Sequence, residues 1–191
     1  MTIIAALREN DKVYVGGDSA AVCPQTFGLT LRKDPKVFKV GLFTIGFTTS
    51  FRMGQILRFG DSKLGLASFK KSNMKGMAPF NFMVRHFVPI TRAILVSGGF
   101  GKKNDEGEDF GEFIVAFGKN IFVISSDLQV GESMNDYEAV GCAGEMAKGA
   151  LDTLTKFPQL KMSPQDKIRS AMETCEKNSA GVRGPFIILE A

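Results

Sequence analysis

Residues 1–19 read MTIIAALRENDKVYVGGDS, and this stretch decides the fold. Thr2 to Leu7 and Lys12 to Gly17 are two runs rich in Ile, Val and Tyr, the composition of strands. Glu9-Asn10-Asp11-Lys12 between them carries turn residues, so the second run folds back antiparallel beside the first. That pairing returns Asp18 to the neighbourhood of Thr2. Removal of Met1 as an initiator is expected to make Thr2 the N-terminus. One residue then carries a hydroxyl nucleophile and a free amine that can take its proton. A carboxylate delivered beside such a threonine is the beginning of a catalytic site.

Bulk composition narrows the classes. A length of 191 residues suits one well-packed domain, expected over residues 1–191, and is short for two. Lys plus Arg is 24 and Asp plus Glu is 20, and the excess is dispersed, with Lys70-Lys71 and Lys102-Lys103 as the tight pairs. Solvated surface lysines account for this, and a clustered basic face for nucleic acid is not indicated. Cys23, Cys142 and Cys175 are an odd count without CxxC spacing, which argues against a disulfide framework or zinc site and fits a reducing cytoplasm. No signal-peptide pattern and no apolar run of membrane-span length stand out. The single histidine, His86, rules out a site built on several imidazoles and reads as a packing or surface residue. No metal or cofactor is implied. The 17 Phe against no Trp must be largely core, with some left for contacts between subunits.

Beyond the opening hairpin, Phe27 to Leu31, Lys36 to Val40 and Leu42 to Phe47 read as further strands. Thr49 to Phe59 switches to helical period, with Thr48 or Thr49 as cap. Gly60 to Pro79 is a polar connection. Phe80 to Val96 is helical with Pro89 inside it, which predicts a kink or break. Gly98 to Gly111 reads as a loop, and its acidic residues Asp105, Glu106, Glu108 and Asp109 lack EF-hand spacing, which favours a solvated hairpin tip. Glu112 to Phe117 and Asn120 to Ser125 flank Gly118-Lys119 as a hairpin. Glu138 to Gly141 is a short strand before Gly141-Cys142-Ala143-Gly144. A helix then runs to about Phe157, with Met146, Ala150, Leu151 and Leu154 expected on its buried stripe. Ser163-Pro164-Gln165-Asp166 opens another helix to about Asn178, and Pro185 to Leu189 is a last strand. This order suits α+β: a four-layer αββα sandwich of two antiparallel sheets flanked by helices.

The sequence resembles the proteasome β-subunit family, and most closely its bacterial HslV-like peptidase branch. Thr2-Ile3-Ile4-Ala5-Ala6 followed by Gly16-Gly17-Asp18-Ser19 looks like the family's opening threonine strand and its Gly-Asp-Ser/Gly turn. With Thr2 on the nucleophile, Asp18 falls on the catalytic aspartate without a gap. Lys36-Val37 looks like the catalytic lysine and the apolar residue after it. Ile45-Gly46-Phe47-Thr48-Thr49-Ser50 resembles the segment whose backbone amide forms the oxyanion hole, with Thr49 at a position usually held by glycine. Val140-Gly141-Cys142-Ala143-Gly144 matches a Gly-Ser-Gly element, with Cys142 for the serine beside the N-terminal amine. Glu176-Lys177-Asn178-Ser179-Ala180-Gly181 resembles the late Asp-x-x-Ser-Gly element, with Glu176 for aspartate and Ser179 in place. The resemblance implies the N-terminal-nucleophile hydrolase fold, threonine-type endopeptidase activity on peptides or unfolded protein, and assembly of this chain with itself into stacked rings. It also implies an ATP-driven unfoldase as feeder. It places catalysis on Thr2, Asp18, Lys36, Thr49, Cys142, Glu176 and Ser179.

Each residue also has a bland reading. Thr2 is a common strand start, and Thr49 suits helix capping. Cys142 is a small residue in a glycine-rich turn, and Glu176 and Ser179 suit the end of a helix. Lys33 and Lys39 compete with Lys36. The rival function is a non-catalytic subunit of the same fold, structural or assembling, in a ring or a virus particle. An amidase of the same superfamily acting on a small molecule is a third.

Overall fold

The computed structural model describes the chain except for residues 24, 61–64, 71, 73–75, 105 and 106. Strand β1 (Ile3–Glu9) turns into β2 (Lys12–Gly17) through a two-residue loop, with Glu9 opposite Lys12. Asn10 and Asp11 both take left-handed backbone, φ 52° and 63°. Short polar side chains tolerate that region, and this tight turn matches the twist of paired strands. β3 (Ala20–Val22) and β4 (Leu29–Leu31) form a small separate ribbon. β5 (Val37–Val40) and β6 (Phe43–Phe47) follow, and α1 (Phe51–Phe59) after them. A second helical stretch comprises α2 (Pro79–Phe82), a π-helical turn over Met83–Phe87, and α3 (Val88–Ser97). Then come the ribbon β7 (Lys102–Asn104) and β8 (Gly107–Asp109), and strands β9 (Phe113–Phe117), β10 (Asn120–Ile124), β11 (Val130–Glu132) and β12 (Tyr137–Gly141). Helices α4 (Gly144–Lys156) and α5 (Pro164–Asn178) and strand β13 (Ile187–Glu190) end the chain.

One sheet has the order β12-β1-β2-β13 and the other β11-β10-β9-β6-β5, with every pairing antiparallel. Helices α4 and α5 cover the first and α1 to α3 the second. The chain is thus the α+β sandwich of two antiparallel sheets between helical layers that the element order predicts. Alternation along each strand sorts the core. Ile4 and Ala6 of β1 enter the space between the sheets, whereas Ile3, Ala5 and Leu7 face α4 and α5. The inter-sheet layer is built from aliphatic side chains such as Val13, Val15, Ile114 and Ala116. At Gly46 a Cβ would stand 2.5 Å from Ile4 Cγ2, so the sheets meet closely there. The large rings go outside this layer: Phe43, Phe82, Phe87, Phe113 and Phe122 are buried beneath α1 to α3. Phe27 and Phe59 remain mostly exposed.

Several local expectations are corrected. Ser50, not Thr48 or Thr49, caps α1, accepting from the Arg52 amide at 3.1 Å. Thr48 instead donates its hydroxyl to the Glu112 carbonyl at 2.6 Å. Pro89 does not break its helix, because the preceding π-helical turn absorbs the missing donor and the ring's bulk. On α4 the buried stripe is Ala147 and Leu151, joined by Ala150, while Met146 faces outward. The Gly141–Gly144 turn sets the phase of that helix, and the small residues let α5 approach. β3 and β11 are strands the sequence did not announce, each of only three residues. Ser163 caps α5 as expected, accepting from the Asp166 amide at 3.1 Å and donating to its carboxylate at 2.6 Å. Residues 61–64, 71 and 73–75 of the Gly60–Pro79 connection, and Asp105 and Glu106, lie outside the described residues, and the strands flanking the latter two form the expected hairpin.

Gly54 of α1 lies on the Phe47 ring: a Cβ there would come within 2.2 Å of a ring carbon. Alanine gains about 1 kcal/mol in helix propensity over glycine. Forcing a methyl into a packed core costs about 1–3 kcal/mol. Gly54→Ala is therefore expected to lower the denaturation midpoint, read by chemical unfolding, despite its better helix propensity.

Candidate active site

Strand register places Thr2. Ile3 lies opposite Gly141 on one side, and Ile4 lies opposite Gly17 on the other. Continued by one residue, the registers set Thr2 opposite Cys142 and Ile3 opposite Asp18, so Thr2 lies next to both. Gly141 makes the close approach possible: its φ is +101°, and a Cβ would sit 2.4 Å from the Thr2 carbonyl oxygen. Lys36 comes from the other sheet, immediately before β5, where its carbonyl accepts from the Phe47 amide at 3.0 Å.

These segments meet in one buried cluster. Lys36 Nζ donates to Asp18 Oδ1 at 2.8 Å and contacts Thr2 Oγ1 directly. The Lys36 and Asp18 side chains are 2% and 0% exposed, so the pair is desolvated. Asp18 is further held by amides: Ile3 donates to Oδ1 at 3.1 Å, and Ala20 to Oδ2 at 3.0 Å. The Arg183 amide donates to Oδ2 at 3.4 Å. Burial pushes the Lys36 ammonium below its ordinary value of 10.5, and the adjoining Asp18 carboxylate opposes that shift. The ring centroid of Phe51 lies 5.6 Å from Nζ. Lys33 and Lys39, the competing lysines, are exposed.

Thr2 and Lys36 line a cavity of about 330 Å³ shared with Ala20, Val22, Phe47 and Thr49. Thr49 has left-handed backbone, φ 50°, at the position where glycine is the usual residue of the resembled family. Its hydroxyl accepts from the Glu112 amide at 3.2 Å, and its own amide finds no acceptor among the described residues. A free N–H in a cavity wall can receive a developing oxyanion. Cys142 Sγ accepts from the Thr2 amide at 3.3 Å and also lies 3.3 Å from the Thr2 carbonyl oxygen. Ser179 Oγ stands 3.9 Å behind Sγ and accepts from the Gly181 amide at 3.3 Å.

Glu176 is not brought to Thr2. Its Oε1 accepts from the Gly184 amide at 3.0 Å, next to the Arg183 amide that serves Asp18. The carboxylates of Glu176 and Asp18 thus hold adjacent amides of one turn. Sequence reasoning missed this turn and Ser19, whose hydroxyl donates to the Pro185 carbonyl at 2.6 Å. Backbone amides carry no residue signature, so the Gly184-Pro185 pair was the one visible hint of a turn. Cys175 is buried on α5, and burial pushes its thiol up to about 11, so it takes no part. Among the described residues, no helix is long and apolar enough to cross a membrane.

The pair sets two expectations for stability. Asp18→Ala strands a buried ammonium and is expected to cost about 3–5 kcal/mol. Lys36→Met costs less, because three amides still hold the carboxylate, and the double variant recovers part of the loss of Asp18→Ala in chemical denaturation. Because the folded Lys36 titrates below its unfolded value, the unfolded state binds more protons between those two points. Wild-type stability therefore gains with rising pH across that window below 10.5, and Lys36→Met lacks this gain.

Among solved structures, BPH of Thiobacillus denitrificans matches over 99% of this chain and 97% of its own, at TM-score 0.77 and 15% identity. The same protein in complex with epoxomicin matches with equal coverage at TM-score 0.74 and 13% identity. Eukaryotic HslV from Trypanosoma brucei covers 98% of each chain at TM-score 0.63 and 17% identity. Anbu, an ancestral β-subunit from Yersinia bercovieri, covers 98% of this chain and 80% of its own at TM-score 0.64 and 10% identity. No family model and no curated protein matches the chain. At these identities the likeness establishes the fold, which is that of the proteasome-like N-terminal-nucleophile hydrolases.

Proposed function

We propose that this chain is a proteasome- or HslV-like threonine-type endopeptidase subunit acting through Thr2 after loss of Met1. The observation that carries this reading is the buried Lys36 ammonium lying against both Asp18 and the Thr2 hydroxyl. Such a charge beside a hydroxyl favours its deprotonated form. While Met1 is attached, the Thr2 nitrogen is a peptide amide without basicity. Once free, it takes the hydroxyl proton as Oγ1 attacks the substrate carbonyl. The oxyanion is received by the Thr49 amide. The scissile C–N bond then breaks, the leaving nitrogen takes its proton from the Thr2 ammonium, and an ester on Oγ1 remains. Water, deprotonated by the same amine, hydrolyses that ester and restores the hydroxyl. Cys142 and Ser179 hold the amine's surroundings, and Glu176 holds the turn behind Asp18.

The reading includes self-association of this chain into stacked rings in the cytoplasm, fed with unfolded protein by an ATP-driven unfoldase. Exposed Phe59, Phe80, Val84 and Val96 on the α1 to α3 side support contacts between copies. The rival, a non-catalytic subunit of the same fold, draws on Glu176, whose carboxylate is committed to Gly184 and not to the Thr2 nitrogen.

Intact mass of the expressed protein separates the two: loss of Met1 is expected, and full retention sinks the enzyme. A fluorogenic peptide should be cleaved by the processed chain and not by Thr2→Ala, and Lys36→Ala should lose at least about 100-fold. Epoxomicin should bind the processed chain and not Thr2→Ala. Activity should rise with pH as the Thr2 amine loses its proton and becomes able to act as base. It should fall again below pH 10.5 as the depressed Lys36 loses its charge.

A further inference from the structure

Thr49 lies where the chain passes from β6 to α1, in the wall of the cavity that holds Thr2 and Lys36. The Ser50 amide donates to the Thr48 carbonyl at 2.6 Å, which closes a three-residue turn with Thr49, φ 50°, at its centre. A turn of this kind with positive φ is rare and strained, and a β-branched residue suits it poorly. Such a conformation persists only where the surrounding structure over-determines it.

Glu112, just before β9, supplies that constraint with its main chain. The Thr48 hydroxyl donates to the Glu112 carbonyl at 2.6 Å, which uses its one proton. Its 3.2 Å contact with Thr49 Oγ1 is therefore donated by the Thr49 hydroxyl. Thr49 Oγ1 in turn accepts from the Glu112 amide at 3.2 Å. Two hydroxyls and the two polar groups of one peptide residue thus form a closed ring of directed hydrogen bonds. The Thr48 amide adds a bond to the same carbonyl at 3.1 Å. The anchor is itself held: Phe110 is buried, with its amide on the Ser126 carbonyl at 2.7 Å, and the Gly111 amide donates to Asp109 Oδ1 at 3.1 Å. At Gly111, φ 79°, a Cβ would come within 2.8 Å of Thr49 Oγ1 and 3.0 Å of Thr49 Cγ2. The Thr49 side chain therefore packs on this segment, while the Thr49 amide keeps no acceptor among the described residues.

We propose, resting on the peptidase reading above, that Thr48 and the side chain of Thr49 are positioning groups: their hydroxyls latch the turn to Glu112 and so hold the Thr49 amide where the oxyanion develops. The latch supplies what a glycine would bring to this position through its conformational freedom. Without it the turn is released from positive φ, and the amide loses its fixed direction. The loss falls on the transition state, because the ground-state carbonyl carries little of the charge that the amide receives.

Steady-state kinetics of the processed chain on a fluorogenic peptide test the assignment. Thr48→Val keeps the side chain's shape and removes the hydroxyl; its kcat is expected to fall about tenfold or more with KM within about twofold of wild type. Thr49→Val removes both bonds of its hydroxyl and should lose more, whereas Thr48→Ser keeps the hydroxyl and should recover most of the kcat. The pH profile should keep its shape in all three, since neither residue holds the proton of the Thr2 amine or of Lys36. A peptide aldehyde, whose adduct with Oγ1 is tetrahedral, should bind Thr48→Val more weakly by the factor lost in kcat. Wild-type kcat in both valine variants, or equal kcat in Thr48→Ser and Thr48→Val, overturns the latch and leaves the peptidase reading intact. Hydrogen exchange reads the latch apart from turnover: the Glu112 amide should exchange about tenfold faster in Thr49→Val, or in Thr49→Ala should the valine variant not fold. Unchanged exchange at Glu112 overturns the latch by itself. A processed wild-type chain that cleaves no peptide overturns the peptidase reading and this role with it.

Discussion

A lysine ammonium removed from water is the constraint around which this molecule is arranged. Burial alone is costly for such a group, and the folded chain offsets it with one carboxylate and one hydroxyl. Supplying them requires both sheets: Asp18 and Thr2 belong to the first sheet's hairpin, Lys36 to the second sheet's edge. The ion pair is therefore a bridge between layers. Its position at the end of the sandwich, where strands stop and backbone amides lose ladder partners, provides the N–H groups that hold the carboxylate.

Two of the three core layers divide the labour. Between the sheets, aliphatic side chains and Gly46 keep the layers close, which fixes how far Lys36 must reach. The phenylalanines are spent outside this layer, under α1 to α3, where ring pairs such as Phe43–Phe87 at 4.9 Å fill volume away from the chemistry. Rigidity near Thr2 thus comes from small residues in tight contact, and bulk stability from large ones at a distance.

Much of this was legible from letters alone, because the decisive features are local or periodic. The opening hairpin is written in Asn10-Asp11 between two β-branched runs, and with it the return of Asp18. Lys36 was separable from Lys39 by strand alternation and from Lys33 by the intervening Asp34-Pro35, and the structure buries Lys36 while exposing the other two. Less legible were features that depend on distant parts of the chain. β3 and β11 are too short to show a period. The face of α4 is set by a preceding turn, and the cap of α1 shifted to Ser50 because Glu112, far along the chain, claims Thr48 and Thr49. The grip of Arg183 on Asp18 uses a main-chain amide, which any residue but proline possesses.

That grip has a consequence. The three amides on Asp18 arise at the first strand, at the turn after the second, and near the C-terminus, so the carboxylate reports on segments that are remote in the chain. Displacement of the turn that leads into β13 withdraws a donor from the anion on which the lysine depends. Loosening at any one of these three places therefore reaches the buried Lys36–Asp18 pair, and through it both sheets at once.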